Sequence, residues 1–149
     1  MKHNIKRVVI HCSATRENQD YTFKQLEKDH RNRGFTRCGY NYYIRKDGTV
    51  HEGRDIGDIL AHATGYNIDS IAICYEGGLG INGKPKDTRT DQQKQILLNI
   101  IVFCKTIWPN TLILGHRDLS PDKNKDGIIS PDEWLKDCPC FDAKSEYNA

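Results

Sequence analysis

The sequence predicts an α/β fold, a single domain built on a central mixed β-sheet flanked by helices, and three observations predict it. Short β-rich apolar runs at Val8-Val9-Ile10, Ser70–Tyr75 and Thr111–Leu114 read as buried strands. Two other segments carry apolar residues at helical spacing behind N-capping signals. The two kinds of segment are interleaved along the chain, the pattern of a sheet covered by helices.

Taken in order, Val8-Val9-Ile10 carries the chain inward and stops at His11, after which Cys12-Ser13-Ala14-Thr15 reads as a loop. Thr22-Phe23-Lys24-Gln25 has the form of a capping box. Phe23, Leu26 and His30 share one face of the helix it opens, and Gly34 closes that helix. Asn41–Arg45 and Thr49–Glu52 flank Lys46-Asp47-Gly48, a hairpin signal because Asp-Gly accepts positive φ. Ser70–Tyr75 is a strand ended by Gly77-Gly78, and Leu79–Thr88 reads as a surface loop. A second capping box, Thr90-Asp91-Gln92-Gln93, opens a helix with Ile96, Leu97, Ile100, Ile101, Cys104 and Trp108 on its apolar side. Pro109 stops it, and Thr111–Leu114 is a strand that ends at Gly115-His116.

At 149 residues the chain is most simply one domain, 1–149, long enough to bury a core without disulfides. Its 22 basic and 20 acidic residues leave a net charge of +2, which gives no reason to expect nucleic acid as a partner. No apolar run is long enough for membrane insertion, and only Val8–Ile10 follows the basic N-terminus, too short for a signal-peptide core. Synthesis in the cytoplasm is therefore expected. In that setting Cys12, Cys74 and Cys104, inside apolar segments, read as reduced core residues. Cys138 and Cys140 lie in a polar segment and need another explanation.

His11 and His116 each follow an apolar strand directly. Either alone reads as an ordinary strand-end histidine; on neighbouring strands, both would emerge at one cleft. Asp137-Cys138-Pro139-Cys140-Phe141-Asp142 offers a thiol in a turn. Two histidines and one thiolate make a three-ligand zinc site, which leaves a position open for water as catalytic sites do. Cys140 as a fourth ligand would close that site, although a one-residue spacing is not the usual spacing of a ligand pair.

At these residues the sequence resembles the zinc-dependent N-acetylmuramoyl-L-alanine amidases of the phage-lysozyme type, a family that includes the peptidoglycan recognition proteins. Seven blocks carry the resemblance: Val9–Thr15; Gly39-Tyr40-Asn41-Tyr42; Asp47–Val50 with Gly53-Arg54; Ala61-His62-Ala63 with Gly65-Tyr66-Asn67; Ser70–Cys74; Gly115-His116-Arg117-Asp118; and Lys136–Asp142. It implies a cleft with one catalytic Zn2+ at the strand ends, held by His11, His116 and Cys138, with Tyr40 and Lys136 as catalytic residues. The implied reaction is hydrolysis of the amide between the lactyl group of N-acetylmuramic acid and L-alanine in peptidoglycan. His62 and Arg54 are candidate substrate-groove residues. The expectation is a monomeric phage or prophage endolysin, made without a signal peptide and acting on the cell wall after release. A non-catalytic wall-binding module is the alternative, and a cytoplasmic regulator that binds RNA polymerase, as one phage lysozyme does, is a third.

Two small departures from the family pattern are Cys140, where a small residue is common, and Ala72, where glycine is. A larger one lies at 122–133, which has the spacing of an EF-hand calcium loop. Asp122, Asn124, Asp126, Ile128 (through its carbonyl) and Glu133 are its candidate Ca2+ ligands. Pro121 removes the entering helix such loops have, so a solvated turn capping a short helix at Glu133–Lys136 is the competing expectation.

Overall fold

The computed structural model describes residues 3–148. Its strands are β1 (Arg7–Cys12), β2 (Thr15–Arg16), β3 (Tyr42–Ile44), β4 (Val50–Glu52), β5 (Ser70–Tyr75), β6 (Gly78–Leu79) and β7 (Leu112–Gly115). Its α-helices are α1 (Phe23–Asn32), α2 (Asp91–Ile107) and α3 (Ala143–Tyr147). Five strands form one mixed sheet in the order β4-β3-β5-β1-β7, antiparallel only between β3 and β4. The expected α/β architecture is the one observed.

Side-chain alternation divides the sheet into two faces. Val8, Ile10 and Cys12 of β1 join Ile71, Ile73 and Tyr75 of β5, Ile44 of β3 and Ile113 of β7 in one core. Leu97, Ile101 and Cys104 of α2 and Phe141 and Ala143 near α3 complete it. Tyr43 and Cys74 point to the other face, where Leu26 of α1 and Cys38 cover them. His11 is paired in register with Cys74 and so belongs to this second face. The same residue run thus fills a core with its even positions and delivers an imidazole with an odd one.

Both capping boxes form in part or whole: Thr22 accepts from the Gln25 amide at 3.1 Å, and Thr90 and Gln93 cap each other reciprocally. Gln93 is fully buried and also donates to the carbonyls of Ile44 and Glu76, which ties the start of α2 to the sheet. No helix among the described residues is long and apolar enough to cross a membrane.

Two local expectations are corrected, and one helix is added. Leu79–Thr88 is not loop throughout, because β6 pairs in parallel with β2 and Leu79 bridges to Pro85. The helix expected at Glu133–Lys136 is instead a single 3-10 turn, Pro131–Glu133; Trp134 leaves it with extended backbone at φ −64° and ψ 129°. The third helix, α3, had no periodicity to announce it, being five residues long. It is held by the Asp142 cap and by Arg89, whose buried guanidinium reaches Glu146 at 2.8 Å and the Tyr147 hydroxyl at 3.0 Å.

Candidate metal centre and cleft

Parallel strands present their carboxyl ends on one edge of a sheet, where α/β proteins place their sites. β1 and β7 are neighbours with Ile10 opposite Gly115, so His11 and His116 occupy the next register position. Their ring centroids lie 4.5 Å apart. The coincidence of two strands ending on histidine is therefore a real pairing.

Cys138 arrives from the C-terminal segment. Its Sγ accepts a hydrogen bond from the Cys12 amide at 3.2 Å, and its carbonyl accepts from the Arg117 amide at 2.8 Å. These bonds pin the segment to the ends of β1 and β7. Gly115 lets it come close: a Cβ added there would lie 2.6 Å from Cδ of Pro139. The Pro139 carbonyl is in turn held by the Tyr75 hydroxyl. As a result one donor atom each from His11, His116 and Cys138 lies within 4.8 Å of the others. Cys140 is not in that group among the described residues; its Sγ faces Cys12 Sγ at 3.9 Å.

The histidines are kept neutral. Burial, then the nearby His116, His62 and Lys136, hold His11 well below its ordinary range. Burial first and Lys136 second lower His116 to about 4. Neutral imidazole is the form that binds a metal ion, and together with a thiol it makes the nitrogen and sulfur donor set that suits zinc. The Cys140 thiol is pushed far up by its hydrogen bond with Cys12 and by burial, which disfavours the thiolate a fourth ligand needs.

The three donors sit in the wall of an open cleft of about 600 Å³ that Tyr40, His62 and Lys136 also line. The Tyr40 ring lies 4.9 Å from that of His11, and burial raises its phenol well above its ordinary range, so it stays a neutral donor. His62 contacts His11 directly, Nδ1 to Nε2 at 2.9 Å. Arg54 does not join the cleft wall: its guanidinium donates to the carbonyls of Cys38 at 3.0 Å and Ile59 at 2.7 Å, bracing the loop behind the cleft.

Residues given no role by the sequence also line the cleft. His30 is buried in its wall and accepts the Gly39 amide through Nδ1 at 2.9 Å, fixing the residue before Tyr40. Its place on the inner face of α1 was the available signal. Arg33 and Arg117 join Lys136 as the charged residues of the lining, which contains no carboxylate among the described residues. Arg117 is stacked over Trp134, its guanidinium carbon 3.9 Å from the ring centroid.

A family model for N-acetylmuramoyl-L-alanine amidase matches residues 1–130. The chain belongs to this amidase family. The endolysin of Klebsiella phage KP32 is 32% identical over 138 residues, 93% of this chain and 82% of its own. An uncharacterised Haemophilus influenzae protein is 50% identical over 99 residues, 66% of this chain and 85% of its own. Among solved structures, the N-acetylmuramoyl-L-alanine amidase LysC from Clostridium intestinale superposes with a TM-score of 0.72 at 25% identity, covering 97% of this chain and 82% of LysC. The amidase family match stops before Lys136 and Cys138, so the third donor stands on the geometry described above.

The acidic loop forms a separate cluster. One carboxylate oxygen each from Asp122, Asp126 and Glu133 lies within 4.8 Å of the others. Asp122 Oδ2 accepts the Gly127 amide at 2.8 Å, and Gly127 takes φ +82°. Asn124 Oδ1 accepts the Asp126 amide at 3.2 Å, and Asp126 Oδ1 accepts that of Ile128 at 2.9 Å. Glu133 is buried and accepts from the Ser130 amide and hydroxyl. Asp122 Oδ1 is buried with no hydrogen-bond partner.

Proposed function

We propose that this chain is a zinc-dependent peptidoglycan amidase that hydrolyses the bond between N-acetylmuramic acid and L-alanine, acting on the wall as an endolysin. The observation that carries it is the convergence of His11, His116 and Cys138 in the wall of an open cleft beside Tyr40. Three donors from neutral imidazoles and a thiol fit zinc with one position free for water or substrate. A zinc ion bound there would act as a Lewis acid toward the amide carbonyl and activate water at neutral pH.

The remaining roles belong to the chain itself. Tyr40, neutral and fixed against His11, donates a hydrogen bond to the oxygen that gains charge as the amide is attacked. Lys136, in the same wall, places an ammonium close enough to act on both histidines, and its charge stabilises the same developing oxyanion. Arg33, Arg117 and Lys136, unopposed by carboxylates in the lining, favour the anionic stem peptide over a neutral one.

The test is digestion of purified walls with measurement of newly exposed N-terminal L-alanine, for the wild type and for Cys138→Ala. Release by the wild type that is lost in the variant is the expected result. Wall binding without release by zinc-loaded wild type would instead make the chain a binding module. The acidic loop is proposed as a second, calcium-binding site, favoured by the unpartnered Asp122 Oδ1, which a cation would satisfy.

A further inference from the structure

His62 was expected as a groove residue, yet both of its ring nitrogens are engaged within the protein. Nε2 lies 3.0 Å from the Tyr66 carbonyl, and Nδ1 lies 2.9 Å from His11 Nε2. A carbonyl only accepts, so His62 Nε2 carries the proton. In a neutral imidazole Nδ1 is then a bare acceptor, which requires His11 Nε2 to be the donor across the 2.9 Å contact. The ring planes meet at 80°, so the two rings touch at their edges rather than stack face to face.

We propose that His62 is a positioning residue: through the relay Tyr66 C=O, His62, His11 it fixes the His11 tautomer and leaves His11 Nδ1 as the bare nitrogen available to a metal ion. The proposal rests on the metal reading given above. Ligand histidines are commonly held in this way by a partner on the second nitrogen, which also raises their basicity as ligands. Here the partner is another histidine anchored on a backbone carbonyl.

The loop carrying His62 is built for that task. Asn67 Oδ1 accepts the amides of both His62 and Ala63, at 3.0 and 3.1 Å, and its carbonyl accepts the Leu60 amide at 2.8 Å. The Tyr66 amide closes onto the Ala63 carbonyl at 3.0 Å. Arg7, paired with Asp69, stacks over the Tyr66 ring at 4.9 Å and holds the acceptor end of the relay. Each contact restrains His62 or Tyr66, and none of them touches the proposed ligands.

Two measurements test the proposal. Long-range 1H–15N correlation spectra of the metal-free protein at pH 7 report ring tautomers directly. His11 is expected protonated on Nε2 and bare on Nδ1, whereas the reverse assignment overturns the relay without touching the metal reading. Competition with a chromogenic chelator then gives zinc affinity. His62→Leu is expected to weaken zinc binding about 10–100-fold. His62→Gln, whose amide offers one acceptor and one donor, is expected to restore most of the loss. Equal affinity in wild type and both variants overturns the positioning role and leaves the metal site standing. Failure of the wild type to bind zinc overturns both. Loss of affinity in His62→Leu without recovery in His62→Gln would make His62 a packing residue only, which also overturns the relay.

Discussion

A close packing constraint on the Cys138 segment lies at Gly115, and Gly115→Ala tests it. The backbone there has φ −86° and ψ 158°, a conformation any residue adopts, so the substitution adds no dihedral strain. What it adds is one methyl group 2.6 Å from Pro139 Cδ and 3.1 Å from Cγ. Carbon atoms sit comfortably at about 3.5–4.0 Å, so the proline ring must retreat by about 1 Å. A proline ring has no rotamer by which to escape, and its carbonyl is held by Tyr75, so the retreat moves the peptide that carries Cys138. Overpacking of this kind costs about 1–3 kcal/mol. That corresponds to a melting temperature lower by about 2–4 °C for each kcal/mol in a chain of this size. Metal sites tolerate ligand displacements of only about 0.2 Å, so zinc affinity should fall by about tenfold or more. Chelator competition and thermal unfolding of the metal-free variant measure the two effects separately. A variant that melts with the wild type and binds zinc equally well would refute the claim that Gly115 sets the approach of the Cys138 segment.

Other outcomes follow from the same geometry. Arg89→Leu removes a guanidinium that is 2% exposed, pairs with Asp87 and Glu146, and lies 3.4 Å over the Phe141 ring. Because both carboxylates are partly exposed and rehydrate, the expected loss is about 2–3 kcal/mol by chemical denaturation, below the full cost of breaking a buried pair; an unchanged midpoint would contradict it. Histidine protonation sets a pH dependence for the metal-free protein. His30, His62 and His116 are lowered to about 4, so between the ordinary histidine pKa of about 6.5 and 4 the unfolded chain binds more protons than the native one. Stability is thus full above about 6.5 and falls as the pH drops toward 4. Unfolding midpoints at pH 7 and 5 should show this, with a shallower slope in His30→Gln. Calcium at about 100 times its Kd should add about 2.7 kcal/mol, abolished in Asp122→Ala; no shift in melting temperature with millimolar calcium would remove the second site.

The sheet was legible in the sequence because its strands announce themselves locally. Val8–Ile10 and Ser70–Tyr75 are buried on both faces, as central parallel strands must be, Thr111–Leu114 is an apolar edge strand beside β1 with Leu112 exposed, and glycines or histidines mark their ends. The capping boxes marked α1 and α2 for the same reason, since a cap and its helix are within four residues of each other. The two-residue pair β2–β6 and the five-residue α3 are too short to carry a period and exist through distant contacts, such as Arg89 to Glu146. Arg54 shows the opposite failure. A long basic side chain near a groove reads as a substrate contact, but two unpaired carbonyls in its own neighbourhood claim it first.

The choice between Cys138 and Cys140 shows where local information ends. Both thiols are in one turn, and their spacing alone cannot direct either to the histidines. The choice is made by contacts across more than a hundred residues. The Cys12 amide at the end of β1 donates to Cys138 Sγ, while the Cys12 side chain, on the opposite face of the same strand, meets Cys140. A strand residue offers its amide along the sheet and its side chain to one face, so Cys12 sorts the two thiols to different sides. The strand that delivers His11 therefore also selects its thiol partner. The proposed ligand set looks like three separate contributions from the sequence, yet two of its three members are positioned by consecutive residues of β1.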